Sequence, residues 1–197
     1  MVQDLYIDQL AVLYQRMRRS FSNSPFIHGN KRLGVLCCSD GRMRTFNRAI
    51  GAQPGMLYDM RAVGARKSFL SYAYRDRLGD WIRQGGTDHV MLLTYHFDCL
   101  NRTLGCAGFR YETACAIQHQ LRHAQDIHEA FDGKIQALVV GYDTRLEQLH
   151  LHGAGKPIMT RELIYDGWNV DSILERLSRF WPHVSFETLK ALLPLLL

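Results

Sequence analysis

The chain has 197 residues, of which 47% are hydrophobic, and it carries a formal charge of +5. This composition excludes a mainly disordered chain and favours one domain with a real core. No apolar run reaches the roughly 18 residues that span a bilayer, and the first residues lack the pattern of a secretory signal. We therefore expect a cytoplasmic protein. The basic residues are spread out, without the pattern of a nucleic-acid module, so no nucleic-acid partner is expected.

The first 24 residues predict a helical extension before the core. Tyr6, Leu10, Leu13 and Met17 recur at helical spacing, and the segment stops before a breaker cluster that ends in Pro25. The core should then occupy residues 30–145. Its apolar runs predict strands at 33–38, 56–63, 89–95 and 135–140, separated by helices at about 67–84 and 111–131.

After the core, residues 146–197 predict an edge strand and two short helices. The strand candidate covers 146–151 and would run antiparallel, and the helices fall at about 171–180 and 185–193. Continuous apolar strands that alternate with amphipathic helices are typical of an α/β fold, in which a central, mostly parallel sheet is covered on both faces. We predict a single domain, 1–197, with four such strands and this fifth strand at one edge.

Metal-binding residues follow two of the predicted strands. Cys38 ends the first strand, and His96 and Cys99 come directly after the third. Ligands of parallel α/β sheets bind at the carboxyl ends of the strands. Zinc prefers thiolate and imidazole ligands, and a catalytic zinc keeps three protein ligands with a fourth position open. The sequence therefore predicts a zinc site made by Cys38, His96 and Cys99.

Two motifs resemble the signatures of β-class carbonic anhydrases. They are Cys-Ser-Asp-Gly-Arg at 38–42 and His-x-x-Cys at 96–99, and Gln-Pro-Gly at 53–55 adds a further likeness. The resemblance extends over roughly residues 30–145. It implies one zinc ion per chain on Cys38, His96 and Cys99, and a homodimer or higher homo-oligomer whose N-terminal helix packs on the partner subunit.

The resemblance also assigns roles to three other residues. Asp40 and Arg42 would form a catalytic pair beside the metal, and Gln53 would lie in the substrate pocket. The implied reaction is the reversible hydration of carbon dioxide to bicarbonate and a proton by a zinc-bound hydroxide. Because Arg42 would act by holding Asp40 ionised and away from the metal, its replacement by alanine is expected to lower turnover and leave the zinc content intact.

The sequence departs from the family beside the histidine and the second cysteine. Tyr95 and Leu100 stand where the family usually has glycine, and Phe97 adds bulk nearby. These changes leave open the hydrolysis of a small sulfur analogue, carbon disulfide or carbonyl sulfide, on the same site. A non-catalytic zinc protein is the alternative outside enzymes. In that case Cys106 could close the site as a fourth ligand.

Overall fold

The computed structural model describes residues 32–50, 52, 57–66, 76, 79–80, 83, 89–153, 159–160 and 170–196. The predicted N-terminal helix, Gln53 and most of the helix predicted at 67–84 lie outside these residues. The rest of the predicted core can be compared element by element.

One mixed, mostly parallel sheet forms the centre of the described chain. Its strands are Leu33–Cys38 (β1), Leu57–Ala62 (β2), His89–Phe97 (β3), Ile135–Asp143 (β4), Gln148–His152 (β5) and Met159–Thr160 (β6). In the order β2-β1-β3-β4, the first four strands run parallel, and β5 joins β4 antiparallel. The two-residue strand β6 pairs antiparallel with β5 at the far edge of the sheet. The predicted fold class is confirmed.

Burial explains the continuous apolar character of the central strands. All six residues of β1 are buried, as are eight of the nine residues of β3. A strand flanked by neighbours in the sheet and covered on both faces has no solvent side on which polar residues would alternate. Because β1 and β3 are also parallel neighbours, their carboxyl ends lie side by side at the same end of the sheet.

The described helices are a short α1 (Phe46–Ala49), α2 (Thr113–Ala130), α3 (Val170–Phe180) and α4 (Phe186–Leu196). α2 contacts β3 and β4, and α3 packs against α4. Trp181, which follows α3, donates an indole hydrogen bond of 2.9 Å to the backbone oxygen of His152 and so ties this end of the chain to β5. Among the described helices, none has the length and apolar character needed to cross a membrane.

Candidate metal centre

Three buried side chains meet where β1 and β3 end. Cys38, His96 and Cys106 each offer one ligand atom, and these atoms lie within 4.8 Å of one another. The two sulfur atoms are 3.7 Å apart, although 68 positions separate the cysteines along the chain. All three residues are buried, with exposures of 4%, 1% and 3%. Two of the three predicted ligands are thus brought together, and a cysteine from a later loop joins them.

Local turns deliver Cys106 to the end of β1. Two 3-10 turns, Arg102–Leu104 and Ala107–Phe109, flank it. Just beyond it, Gly108 lies against Gly64, so close that a Cβ atom on Gly108 would be 2.7 Å from the Gly64 Cα. Phe109 is buried beside the same turn. Only glycine permits this approach of two backbones.

Cys99, the third predicted ligand, lies outside this group, whose second cysteine is Cys106. The strand β3 ends at Phe97, and the Asp98 carboxylate then accepts hydrogen bonds from the amides of Leu100 (2.9 Å) and Asn101 (2.8 Å). This turn leaves Cys99 exposed. The neighbouring carboxylate of Asp143 raises the pKa of the Cys99 thiol.

The donor set fits zinc. Two ligands at about 2.3 Å from a tetrahedral ion lie roughly 3.8 Å apart, which matches the separation of the two sulfur atoms. Both ring nitrogens of His96 are buried and make no hydrogen bond within the described chain. An unpaired buried nitrogen is costly unless a metal or a donor satisfies it. The residues present therefore suit a metal of the zinc type.

The surroundings favour a thiolate at Cys38. The hydrogen bond with Cys106 lowers the pKa of Cys38 to about 4, and contacts with His96 and the backbone amides of Asp40 and Gly64 contribute. The Gly64 amide lies 3.3 Å from the sulfur. Because the same thiol pair shares one proton, the pKa of Cys106 is raised. Metal binding needs the deprotonated form, and the polar contacts around Cys38 supply it.

Asp40 and Arg42 form a two-pronged ion pair beside the cluster. The guanidinium donates from Nε to Oδ1 (3.0 Å) and from Nη2 to Oδ2 (2.7 Å), and the Arg42 amide also donates to Oδ1 (2.9 Å). These bonds lower the pKa of Asp40 to about 2, so the carboxylate is ionised at neutral pH. Its Oδ2 atom lies 3.8 Å from Nε2 of His96. The predicted pair therefore lies next to the predicted histidine ligand.

The side chains that depart from the family pattern lie away from the cluster. Successive residues of a strand point to opposite faces, so Tyr95 and Phe97 face away from His96. Tyr95 lies over Gly141, where an added Cβ atom would be 2.4 Å from the phenol oxygen, and reaches His152 with a hydrogen bond of 2.5 Å. Leu100 is 75% exposed. The side chains of Tyr95, Phe97 and Leu100 therefore do not occupy the space beside the two sulfur atoms.

Sequence reasoning missed a buried glutamine that supports the centre. The side-chain amide of Gln120, on α2, lies within hydrogen-bond distance of the backbone oxygens of Gly64 (3.3 Å), Ala65 (3.3 Å) and Thr94 (3.2 Å). It thus links the turn behind Cys38 to the strand that carries His96. The sequence alone does not show that this glutamine is buried, because that depends on which face of the helix packs against the sheet. For Cys106, the neighbouring small residues Gly105, Ala107 and Gly108 were the available signal.

The solved structures that are similar to this chain include two β-carbonic anhydrases. The first is the β-carbonic anhydrase CcaA, with 16% identity over 80% of this chain and 91% of that one, and a TM-score of 0.44. The second is the β-carbonic anhydrase CafA of the fungal pathogen Aspergillus fumigatus, with 14% identity over 77% of this chain and 83% of that one, and a TM-score of 0.41. No family model and no curated protein sequence matches the chain.

Proposed function

We propose that this chain is a zinc enzyme that catalyses the reversible hydration of carbon dioxide to bicarbonate and a proton. Cys38, His96 and Cys106 would hold the ion. One observation carries the proposal: a buried Cys-His-Cys group has an ionised carboxylate, Asp40, 3.8 Å from its histidine nitrogen. A purely structural zinc site is closed by four protein ligands. Here Cys99, the residue that could have served as a fourth, faces solvent.

A zinc ion held by Cys38, His96 and Cys106 would act as a Lewis acid and would lower the pKa of water so that it could serve as the nucleophile. Asp40 can accept a hydrogen bond from that nucleophile through Oδ2 and turn it toward carbon dioxide. Arg42 keeps Asp40 ionised and fixes the direction of both carboxylate oxygens. Two thiolates and a neutral imidazole would offset the charge of the ion, which would make it a weaker Lewis acid than zinc held by three histidines. Activity should therefore rise between about pH 7 and pH 8.5.

Stopped-flow hydration of carbon dioxide by the zinc-loaded protein tests the proposal at these two pH values. The variant Asp40→Asn should lose at least about 100-fold in kcat, as expected for a positioned acid–base group, while it retains zinc. The chain offers a matched control in Asp59→Asn, because Asp59 pairs with Arg61 in the same spacing but faces solvent. Its turnover should be unchanged.

The outcomes separate the alternatives. Turnover that depends on zinc and on Asp40 supports a carbonic anhydrase. One zinc ion per chain with no hydration at either pH would rule this function out. Carbon disulfide and carbonyl sulfide are then the next substrates to assay on the same sample. No turnover of any of the three would leave a zinc protein without catalytic activity.

A further inference from the structure

Arg42 makes contacts that a role in holding Asp40 does not require. Its Nη2 atom donates to the backbone oxygen of Gly105 at 3.1 Å, and its Nη1 atom donates to the backbone oxygen of Leu104. These two carbonyl groups immediately precede Cys106. One guanidinium therefore binds the carboxylate on one side and, on the other, the chain that delivers a sulfur ligand.

The segment before Cys106 has little apolar burial to hold it. Leu100 is 75% exposed and Leu104 is 42% exposed. The chain after Cys106 is anchored differently, through the close contact of Gly108 with Gly64 and the buried ring of Phe109. Cys106 thus lies between a packed side and a side that is fastened to Arg42 by hydrogen bonds.

We propose that Arg42 is a positioning residue for the metal ligand Cys106, and that it thereby sets zinc affinity as well as the orientation of Asp40. This inference rests on the metal centre proposed above. It departs from the expectation, drawn from the sequence, that replacement of Arg42 leaves the zinc content intact. Loss of the guanidinium frees the carbonyl groups of Leu104 and Gly105, so the sulfur of Cys106 is no longer held 3.7 Å from that of Cys38.

Competition for zinc with a chromophoric chelator gives the dissociation constant of the full chain and of four variants. Removal of an outer support of a metal ligand typically weakens binding by about 10- to 100-fold, and this is the loss expected for Arg42→Ala. Arg42→Lys keeps the charge but not the fork of donors, so its affinity should fall nearly as far. Asp40→Asn should bind zinc within about threefold of the unmodified chain, because only the hydrogen bonds to the loop carbonyls matter for Cys106.

Arg61→Ala is the matched control. Arg61 also pairs with an aspartate two positions earlier, Asp59, and also donates to a backbone oxygen, that of Met43 (3.2 Å), but this carbonyl precedes no ligand. Its zinc affinity should be unchanged. Equal losses in Arg61→Ala and Arg42→Ala would show a general effect of arginine removal and overturn the inference. Full affinity in Arg42→Lys, or an equal loss in Asp40→Asn, would overturn it as well.

Cobalt(II) in place of zinc reports the ligands directly, since thiolate-to-cobalt charge transfer grows with the number of bound sulfur atoms. The intensity per cobalt should fall in Arg42→Ala but stay above that of Cys106→Ser, because the sulfur of Cys106 is held less firmly and is not removed. An unchanged spectrum and affinity in Arg42→Ala would overturn this inference alone. If the unmodified chain binds neither zinc nor cobalt, the proposed function fails together with it.

Discussion

The backbones of Gly64 and Gly108 touch: a Cβ atom on Gly108 would lie 2.7 Å from the Cα and 2.8 Å from the nitrogen of Gly64. That nitrogen donates to the sulfur of Cys38 at 3.3 Å. The contact therefore joins the turn that supports one sulfur ligand to the loop that carries the other. Two glycines far apart in sequence thus help to set the distance between the two cysteines.

The variant Gly108→Ala should weaken the fold and the metal site together. The added methyl group meets backbone atoms that cannot rotate away, so we expect a loss of about 1–3 kcal/mol in the free energy of unfolding and weaker zinc binding. Urea unfolding in the presence of a chelator measures the first effect. Gly41→Ala is the control, because a Cβ atom there has no other atom within 4 Å among the described residues. It should change stability by no more than about 0.5 kcal/mol, and equal losses in the two variants would contradict the explanation.

The variants Cys106→Ser and Cys99→Ser should have opposite effects on metal binding. Cys106 is buried with the other donors, whereas Cys99 is exposed. Changes to residues that support a metal ligand weaken binding by about 10- to 100-fold, and the loss of a ligand itself should weaken it further. We therefore expect Cys106→Ser to lose most of its zinc affinity. Cys99→Ser should bind zinc normally. Isothermal titration of both proteins with zinc decides the question, and the reverse result would restore the ligand set expected from His-x-x-Cys.

Gln120→Leu should destabilise the chain through the turn at Gly64. Leucine fills a similar volume but leaves the backbone oxygens of Gly64, Ala65 and Thr94 without the amide donor. We expect a loss of about 1–3 kcal/mol in the free energy of unfolding, together with weaker zinc binding. Gln125→Leu on the same helix is the control, since Gln125 is exposed and pairs only with Glu129 among the described residues. Thermal unfolding measures both variants, and equal shifts in their melting temperatures would argue against a special role for Gln120.

His152 should make the stability depend on pH. Burial lowers its pKa from 6.5 to about 4, with a smaller effect of His150, because the buried ring is held neutral. The unfolded chain takes up this proton near pH 6.5 and the folded chain only near pH 4. Stability is therefore full above about pH 6.5 and falls as the pH drops toward 4.

The variant His152→Gln tests this linkage while it keeps a polar partner for the Tyr95 hydroxyl. The difference in unfolding free energy between pH 7 and pH 4.5 should shrink by about 2–3 kcal/mol relative to the unmodified chain. Urea unfolding at both pH values, with chelator present throughout, measures it. An unchanged difference would mean that His152 is already charged in the folded protein.

Most of the sheet could be predicted from the sequence because its strands are buried and apolar. The predicted first strand has the bounds of β1, Leu33–Cys38, and the strands predicted at 89–95 and 135–140 begin where β3 and β4 begin. Both run two or three residues further than predicted. Polar residues at their ends, such as His96 and Asp143, belong to the strand through backbone pairing that no hydropathy pattern reveals.

The site could be predicted only in part, for a different physical reason. Cys38 and His96 follow from the rule that ligands gather at the carboxyl ends of parallel strands, and Asp40 and Arg42 from the resemblance of residues 38–42 to a family motif. Cys106 does not follow, since its position depends on how the loop after Phe97 turns. That path is set by the Asp98 turn and by the contact of Gly108 with Gly64, which are tertiary effects.

Nine residues separate His96 from Cys106, and most of the stretch between Asp98 and Gly105 is an exposed loop: Cys99, Leu100, Asn101, Thr103 and Leu104 are all exposed. Surface loops tolerate insertions and deletions at small energetic cost. In related proteins, the length of such a loop can therefore vary while its two ends stay fixed by the cluster. Chains that share this centre are therefore better aligned on the glycines beside the second cysteine than on a fixed count of residues after the histidine.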